Sequence, residues 1–215
     1  MKIRPPLVAA ALLLAPLAAI AQSHPWQARL LLADVQTQGS SSTLSGTSAT
    51  LDFSSGATVG LGLSYTLLPE WSVELSAQRS RLDVDVASPT ASTFNAGRAT
   101  LGIAALTVQY HFFTVGRIRP YVGAGAHLAS ISGFKASQDL VAGNVATISF
   151  DSSASVTAEL GVDYDLTDRI SINADATYHD VGADAALILP SGDPWEKLRV
   201  DIDPWVLAIG VGFRF

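Results

Sequence analysis

Residues 57–67 read Ala-Thr-Val-Gly-Leu-Gly-Leu-Ser-Tyr-Thr-Leu, and they divide cleanly by parity. Ala57, Val59, Leu61, Leu63, Tyr65 and Leu67 make an apolar face, while Thr58, Gly60, Gly62, Ser64 and Thr66 make a face that is small or polar. Successive side chains of extended backbone point to opposite sides, so a period of two belongs to a strand, and a helix would mix the two sets. The same division returns from Val156 to Leu166. Leu68-Pro69-Glu70 and Thr167-Asp168-Arg169 then turn the chain into further alternating strands, Trp71 to Gln78 and Ile170 to His179. The two hairpins align at a spacing of 99 residues, with Leu61, Gly62 and Tyr65 matching Leu160, Gly161 and Tyr164. No third copy follows, so two hairpins under one physical constraint explain the match better than a solenoid repeat.

Working outward, four more strands are predicted near residues 25–38, 98–113, 118–132 and 198–215. Short turns at 68–70, 114–117 and 167–169 alternate with long polar links at 39–55, 84–97, 133–153 and 182–197. Together these predict an all-β fold, an eight-stranded antiparallel transmembrane β-barrel with short periplasmic turns and long extracellular loops. A soluble lipocalin-like barrel would also alternate, but with its apolar face inward. Three features oppose that arrangement. Tyr65, Trp71, Tyr110, Tyr164, Tyr178 and Trp205 sit near strand ends on the apolar face, as in interfacial girdles. The opposite face, rich in Gly, Ala, Ser and Thr, suits the crowded interior of a narrow barrel. The chain also closes on Phe215 on the apolar face, resembling the terminal aromatic signal read by outer-membrane assembly machinery, which makes that machinery an expected partner.

Composition fits an exported chain. Lys2 and Arg4 precede an apolar run from Leu7 to Ile20 and the small-x-small site Ala19-Ile20-Ala21, so residues 1–21 read as a signal peptide cleaved near Ala21 and residues 22–215 as one barrel domain. Without Lys2 and Arg4, eleven basic residues face 19 acidic ones, a net charge of −8 that argues against a nucleic-acid partner. The sequence has no cysteine, so stability must come from elsewhere, such as a closed backbone hydrogen-bond ladder. After the leader no run of about 18 apolar residues occurs, which excludes membrane-spanning helices.

The C-terminal half carries a recognisable order of motifs. Arg119-Pro120-Tyr121-Val122-Gly123-Ala124-Gly125, Gly161-Val162-Asp163-Tyr164, Asp168-Arg169, Ile202-Asp203-Pro204-Trp205-Val206 and Gly210-Val211-Gly212-Phe213-Arg214-Phe215 together resemble the OmpW family of Gram-negative outer-membrane proteins. Leu106 to Phe112 is similar to that family's fourth strand. The resemblance implies an eight-stranded barrel with a narrow apolar interior that passes small hydrophobic molecules, with sideways exit into the membrane as a variant.

Catalytic constellations were sought against that expectation. Lipid A deacylase barrels use His-x-Ser, but His24, His111, His127 and His179 are followed at that position by Trp26, Phe113, Ala129 and Val181. There is no Gly-x-Ser-x-Gly, and Gly123-Ala124-Gly125 lies within a strand pattern where a phosphate cradle would need strand, loop and helix. Asp83 with Asp85, and Asp201 with Asp203, lack the glycine and terminal glutamate of an EF-hand loop and read as rim carboxylates. His179 with Asp180 supplies too few ligands for a metal. The expectation is no enzyme, no cofactor and no metal.

Glu74, Glu159, Asp163, Asp165, Asp175 and Arg214 fall on the small-polar, luminal face. Buried carboxylates need partners, so these form either a salt-bridged plug near the periplasmic end, with Arg214 as one cation, or an ion-selective constriction. The plug is preferred because the barrel is narrow. Arg79 and Arg81 share parity with Trp71 and Leu75 and are placed on the lipid side near the outer end, as lipopolysaccharide contacts or as ordinary rim charges. Phe134, Leu140, Val141, Leu187, Ile188, Leu189 and Trp195 lie in the long links, where they would either receive an apolar solute or form a small loop core over the mouth. Pro204 removes a ladder donor, so pairing is predicted to break at Asp203-Pro204, either as a lateral gate with Trp205 on its lower lip or where the strand rises above the membrane. The function predicted is a passive channel for small hydrophobic solutes, and the alternative is a plugged structural barrel whose extracellular loops bind a partner.

Overall fold

The computed structural model describes residues 24–37, 50–54, 56–88, 91–112, 116–142 and 145–215. The expected leader, most of the 39–55 link and the first residues of the 114–117 turn lie outside them. In chain order the elements are β1 (Trp26–Gln36), β2 (Thr50–Ser54), β3 (Ala57–Leu68), β4 (Trp71–Ser88), β5 (Ala91–His111), β6 (Ile118–Ala136), α1 (Gln138–Ala142), β7 (Thr147–Phe150), β8 (Ser153–Asp165), β9 (Ile170–His179), β10 (Gly182–Ile188), β11 (Pro194–Asp201) and β12 (Trp205–Arg214).

Antiparallel ladders run β1-β3-β4-β5-β6-β8-β9-β12 and return to β1, giving a closed eight-stranded wall. β2 continues the second wall strand, pairing with β4 just above β3. The closing ladder runs from Gln27 opposite Arg214 to Gln36 opposite Trp205. Phe215 extends it, its N–H donating to the Trp26 carbonyl at 2.9 Å and its carbonyl accepting from the Trp26 N–H at 3.3 Å. Closure leaves no sheet edge, which is the condition for a sheet to stand in hydrocarbon.

The parity division of the sequence decides what each face meets. Leu30, Leu61, Leu75, Leu106, Leu160 and Ile209 are each more than half exposed, on an outer belt with no water-soluble rationale. Aromatic pairs bound the belt: Trp26 against Tyr65 (4.7 Å between ring centroids) and Trp71 against Tyr110 (4.9 Å) at the short-turn end, Tyr178 against Trp205 (5.5 Å) at the other. The outward-facing belt excludes the lipocalin arrangement.

Above the belt the polarity of the two faces inverts. On β4, Leu82, Val84 and Val86 are buried inside while Arg81 is exposed outside and Asp83 and Asp85 are partly exposed there. The surroundings have changed from lipid to water, so the same alternation now hides its apolar members. This corrects the expected links. Residues 84–97 are not a loop, since β4 and β5 pair through Val86 opposite Phe94. The 133–153 and 182–197 links contain α1 and a three-stranded sheet of β11, β10 and β7. The expected final strand, 198–215, is two strands separated at residues 202–204.

Candidate functional site in the barrel lumen

At the short-turn end the lumen is filled by an ion-paired network. Arg29 enters from β1 and its guanidinium contacts the Glu74 carboxylate of β4 and, at 3.0 Å, Asp163 Oδ2 of β8. Arg119 from β6 reaches Asp163 at 3.1 Å and Asp165 at 3.2 Å, and Arg214 from β12 reaches Asp165 at 2.5 Å. Hydrogen bonds extend the network around the wall. Asn173 Nδ2 donates to Tyr121 Oη at 3.0 Å and to Asp163 Oδ1 at 3.2 Å, and Gln109 Nε2 donates to Glu159 Oε1 at 2.8 Å. Arg29 and Asp163 are only 3% and 0% exposed, and such charges persist in an interior only when paired. Gly161 makes room: a Cβ there would come within 2.5 Å of the Tyr121 hydroxyl that Asn173 engages. The ion pairs and the Asn173 bonds tie together six of the eight wall strands and fill the lumen at this level.

Of the residues expected in the lumen, Glu74, Asp163, Asp165 and Arg214 thus enter the ion-paired floor. Glu159 accepts from Gln109 and, at 3.1 Å, from Thr107, and Asp175 accepts from Thr177 at 3.4 Å, one layer higher. Sequence reasoning missed the two principal cations. Arg119 shares parity with the small residues Gly123 and Gly125 and was open to discovery; Arg29 lies beside Leu30-Leu31-Leu32, where both parities are apolar and neither face declares itself.

Over this floor lies a small cavity of about 30 Å³, lined among others by Glu159, Asp175, Thr177, His179, Ile103 and Val206. That is room for one or two waters. Above it the lumen is packed with apolar side chains. Leu101, Ile103 and Ile131 of the wall meet Leu187 and Val200 of the outer sheet and Leu140 of α1, with Phe134 and Phe150 packed against them. Phe134, Leu140 and Leu187 therefore belong to a cap core over the mouth; Ile188 and Leu189 are partly buried, whereas Trp195 and Val141 are 60% and 54% exposed.

Asp203-Pro204 joins this cap to the wall. Asp203 has φ +38°, a conformation tolerated by Asp but costly to most residues, and Pro204 offers no N–H. On the β9 side the chain is bridged, with Val181 N–H donating to Asp203 Oδ1 at 3.0 Å and His179 N–H to the Pro204 carbonyl at 3.1 Å. On the β1 side the ladder among the described residues ends at Gln36 opposite Trp205. Pro204 is buried, and Trp205 faces outward against Tyr178. The break sits where the faces change polarity, with apolar Leu207 exposed below it and Arg199 exposed above.

Arg79 and Arg81 are exposed on the outer face of β4, opposite Gly102 and Thr100 of β5. The rim carboxylates have local partners: Asp83 pairs with Arg98 at 2.7 Å, Asp85 accepts from Asn95 at 2.8 Å, and Asp201 meets Arg199 at 3.2 Å. Asp180 accepts from Ser155 at 2.5 Å. Among the described residues no three His, Asp or Glu side chains converge to hold a metal ion.

Comparison with known proteins matches this architecture. The OmpW family model covers residues 25–215. Outer membrane protein W of Vibrio cholerae is 29% identical over 109 residues, half of this chain and 49% of that protein, so the match spans about half its length. An outer-membrane protein of Sinorhizobium fredii, described as uncharacterized, is 27% identical over 195 residues, 89% of this chain and 80% of its own. Among solved structures, OprG of Pseudomonas aeruginosa superposes with a TM-score of 0.76 at 28% identity, covering 88% of this chain and 95% of that one. AlkL in lipid bilayers gives 0.70 at 19% identity, over 100% and 97%, a likeness of fold.

Proposed function

This chain belongs to the OmpW family and stands in the outer membrane as a β-barrel, and on that premise we propose that it admits small apolar solutes at its extracellular end and releases them sideways into the bilayer. One observation carries the reading: the Arg29 network fills the lumen at the short-turn end, while the regular strand is interrupted at residues 202–204, beside the apolar cap core. A solute that has crossed the lipopolysaccharide layer by entering among Phe134, Leu140, Leu187 and Leu189 meets a charged floor below and the irregular Asp203-Pro204 step beside it. Trp195, exposed at the hairpin tip, offers the first apolar contact. The chain's own residues supply an apolar route and a polar stop, and the process needs no reaction.

The competing reading, a plugged anchor whose loops bind a partner, shares the floor and differs at the seam. Uptake of an apolar solute in a deletion strain separates them. Complementation with the wild type is expected to restore uptake, and Pro204→Val, which restores a ladder donor, to lower it several-fold while the barrel stays folded. Equal uptake by variant and wild type would remove the seam from the mechanism; no uptake by the wild type would favour the anchor.

Arg79 and Arg81 complete the proposal at the outer surface. They lie where β4 leaves the apolar belt, and a guanidinium there can hold a lipopolysaccharide phosphate with two hydrogen bonds. Arg79→Gln with Arg81→Gln is expected to lower the amount of lipopolysaccharide retained on the purified barrel, measured by phosphate content; unchanged retention would make them ordinary rim charges. Phe215, stacked on Phe213 at 6.4 Å and exposed at the barrel seam, is proposed as the contact read by the assembly machinery.

A further inference from the structure

The luminal layer above the floor contains more negative than positive side chains. Arg29, Arg119 and Arg214 are engaged by Glu74, Asp163 and Asp165. Glu159 and Asp175 remain, and among the described residues neither lies within ion-pair distance of a cation. Both line the small cavity, together with His179. His179 is 3% exposed and its Nδ1 has no hydrogen-bond partner among the described residues; His127, 2% exposed, packs edge to face on it at 5.0 Å. Buried polar atoms left in this state point to something that visits them, because their desolvation is otherwise uncompensated.

We infer that this cavity is a binding site for the ammonium head of a small amphipathic amine, held by Asp175 and Glu159 beneath the unpartnered imidazole of His179. An alkylammonium has three N–H donors and no acceptor, and the site offers two carboxylates. A bare metal ion fits less well, since no three of these groups converge to ligand distance. The cavity of about 30 Å³ accepts a head of water size but not a chain. The chain would rise along Ala208, Ala33, Val206 and Val35, an apolar strip on the β12-β1 wall just below the Pro204 step. This rests on the reading of the lumen as a solute path and sharpens it: besides neutral apolar molecules, the path would select single-headed cationic ones.

The test uses the folded barrel in zwitterionic phosphatidylcholine nanodiscs with labelled histidine. Hexylammonium is expected to shift the His179 and His127 ring signals and to saturate at a concentration about tenfold lower than hexanol, because charge-assisted hydrogen bonds are roughly twice as strong as neutral ones. In the near-isosteric Asp175→Asn, Glu159→Gln variant, its fold checked by its backbone amide spectrum, that preference should disappear. Saturation of both ligands at equal concentration, persistence of the preference in the variant, or no shift with either ligand, which would leave water as the occupant, overturns the site. Octane uptake by the wild type reads the transport proposal separately: hexylammonium binding without octane uptake would sink transport and keep the site, and the reverse would do the opposite.

Discussion

Arg29→Met is expected to lower the free energy of unfolding from bilayers by about 3–5 kcal/mol, the usual cost of leaving a buried charge without its partner. Two carboxylates depend on this one guanidinium. Glu74 is 5% exposed and would lose its only ion-pair partner among the described residues, and Asp163, at 0% exposure, would keep Arg119 alone. Urea titration followed by tryptophan fluorescence measures the loss, since Trp26, Trp71 and Trp205 stand at the membrane boundaries. The same argument makes the effect reversible by chemistry. Adding Glu74→Gln and Asp163→Asn removes the stranded charges and should recover most of the stability, because a neutral, packed replacement of a buried ion pair is commonly tolerated. A single variant as stable as the wild type would mean that the floor is hydrated and contributes nothing to holding the wall together.

Ile209→Arg should cost about 2–4 kcal/mol, the penalty of a guanidinium at the bilayer midplane of a barrel. Ile209 lies midway between Trp205 and Phe213 on β12, 61% exposed on the lipid side, opposite Leu32 of β1 and Ala174 of β9. Its neighbour in sequence gives the contrast. Ala208 faces the lumen, is 6% exposed and lines the cavity, so Ala208→Arg would act by steric crowding and would depend little on lipid thickness. For Ile209→Arg the penalty should shrink in thinner bilayers, where the side chain reaches the headgroups sooner. Refolding yields across lipids of different chain length check both expectations. A substitution at Ile209 without cost would place that face in water and contradict the assignment of the belt.

The wall was legible because lipid and lumen impose opposite demands on alternate residues, and β3, β8 and β12 obey them almost without exception. Legibility ended where that contrast weakens or reverses. In β1, Leu30, Leu31 and Leu32 satisfy either face, so neither the register nor the luminal position of Arg29 could be read. In β4 beyond Arg81 the alternation persists with its sign reversed, and a segment carrying Asp83 and Asp85 outward looked like a polar link. The sheet of β7, β10 and β11 depends on long-range packing: Ala183, Ala185 and Leu187 acquire an inner face only when they close over the barrel mouth. Pro204 was different, because a missing N–H is a local chemical fact, and the regular strand is interrupted at 202–204, although His179 and Val181 still bond across to it. His127 and His179 gave no local signal, since their meeting at 5.0 Å requires β6 and β9 to flank β8.

The central claim, lateral release at the seam beside Pro204, is open to direct test because the sequence contains no native cysteine. Thr37 follows Gln36, whose partner is Trp205, so continuing the register by one residue sets Thr37 against Pro204. A Thr37→Cys, Pro204→Cys pair would place two thiols across the seam at the spacing of cross-strand neighbours, within reach of a disulfide. Apolar-solute uptake should then fall about tenfold under oxidising conditions relative to the reduced pair, and return on reduction to the level of the single Pro204→Cys variant, in a barrel that stays folded throughout. Uptake that continues at full rate with the disulfide formed would contradict lateral release at this seam.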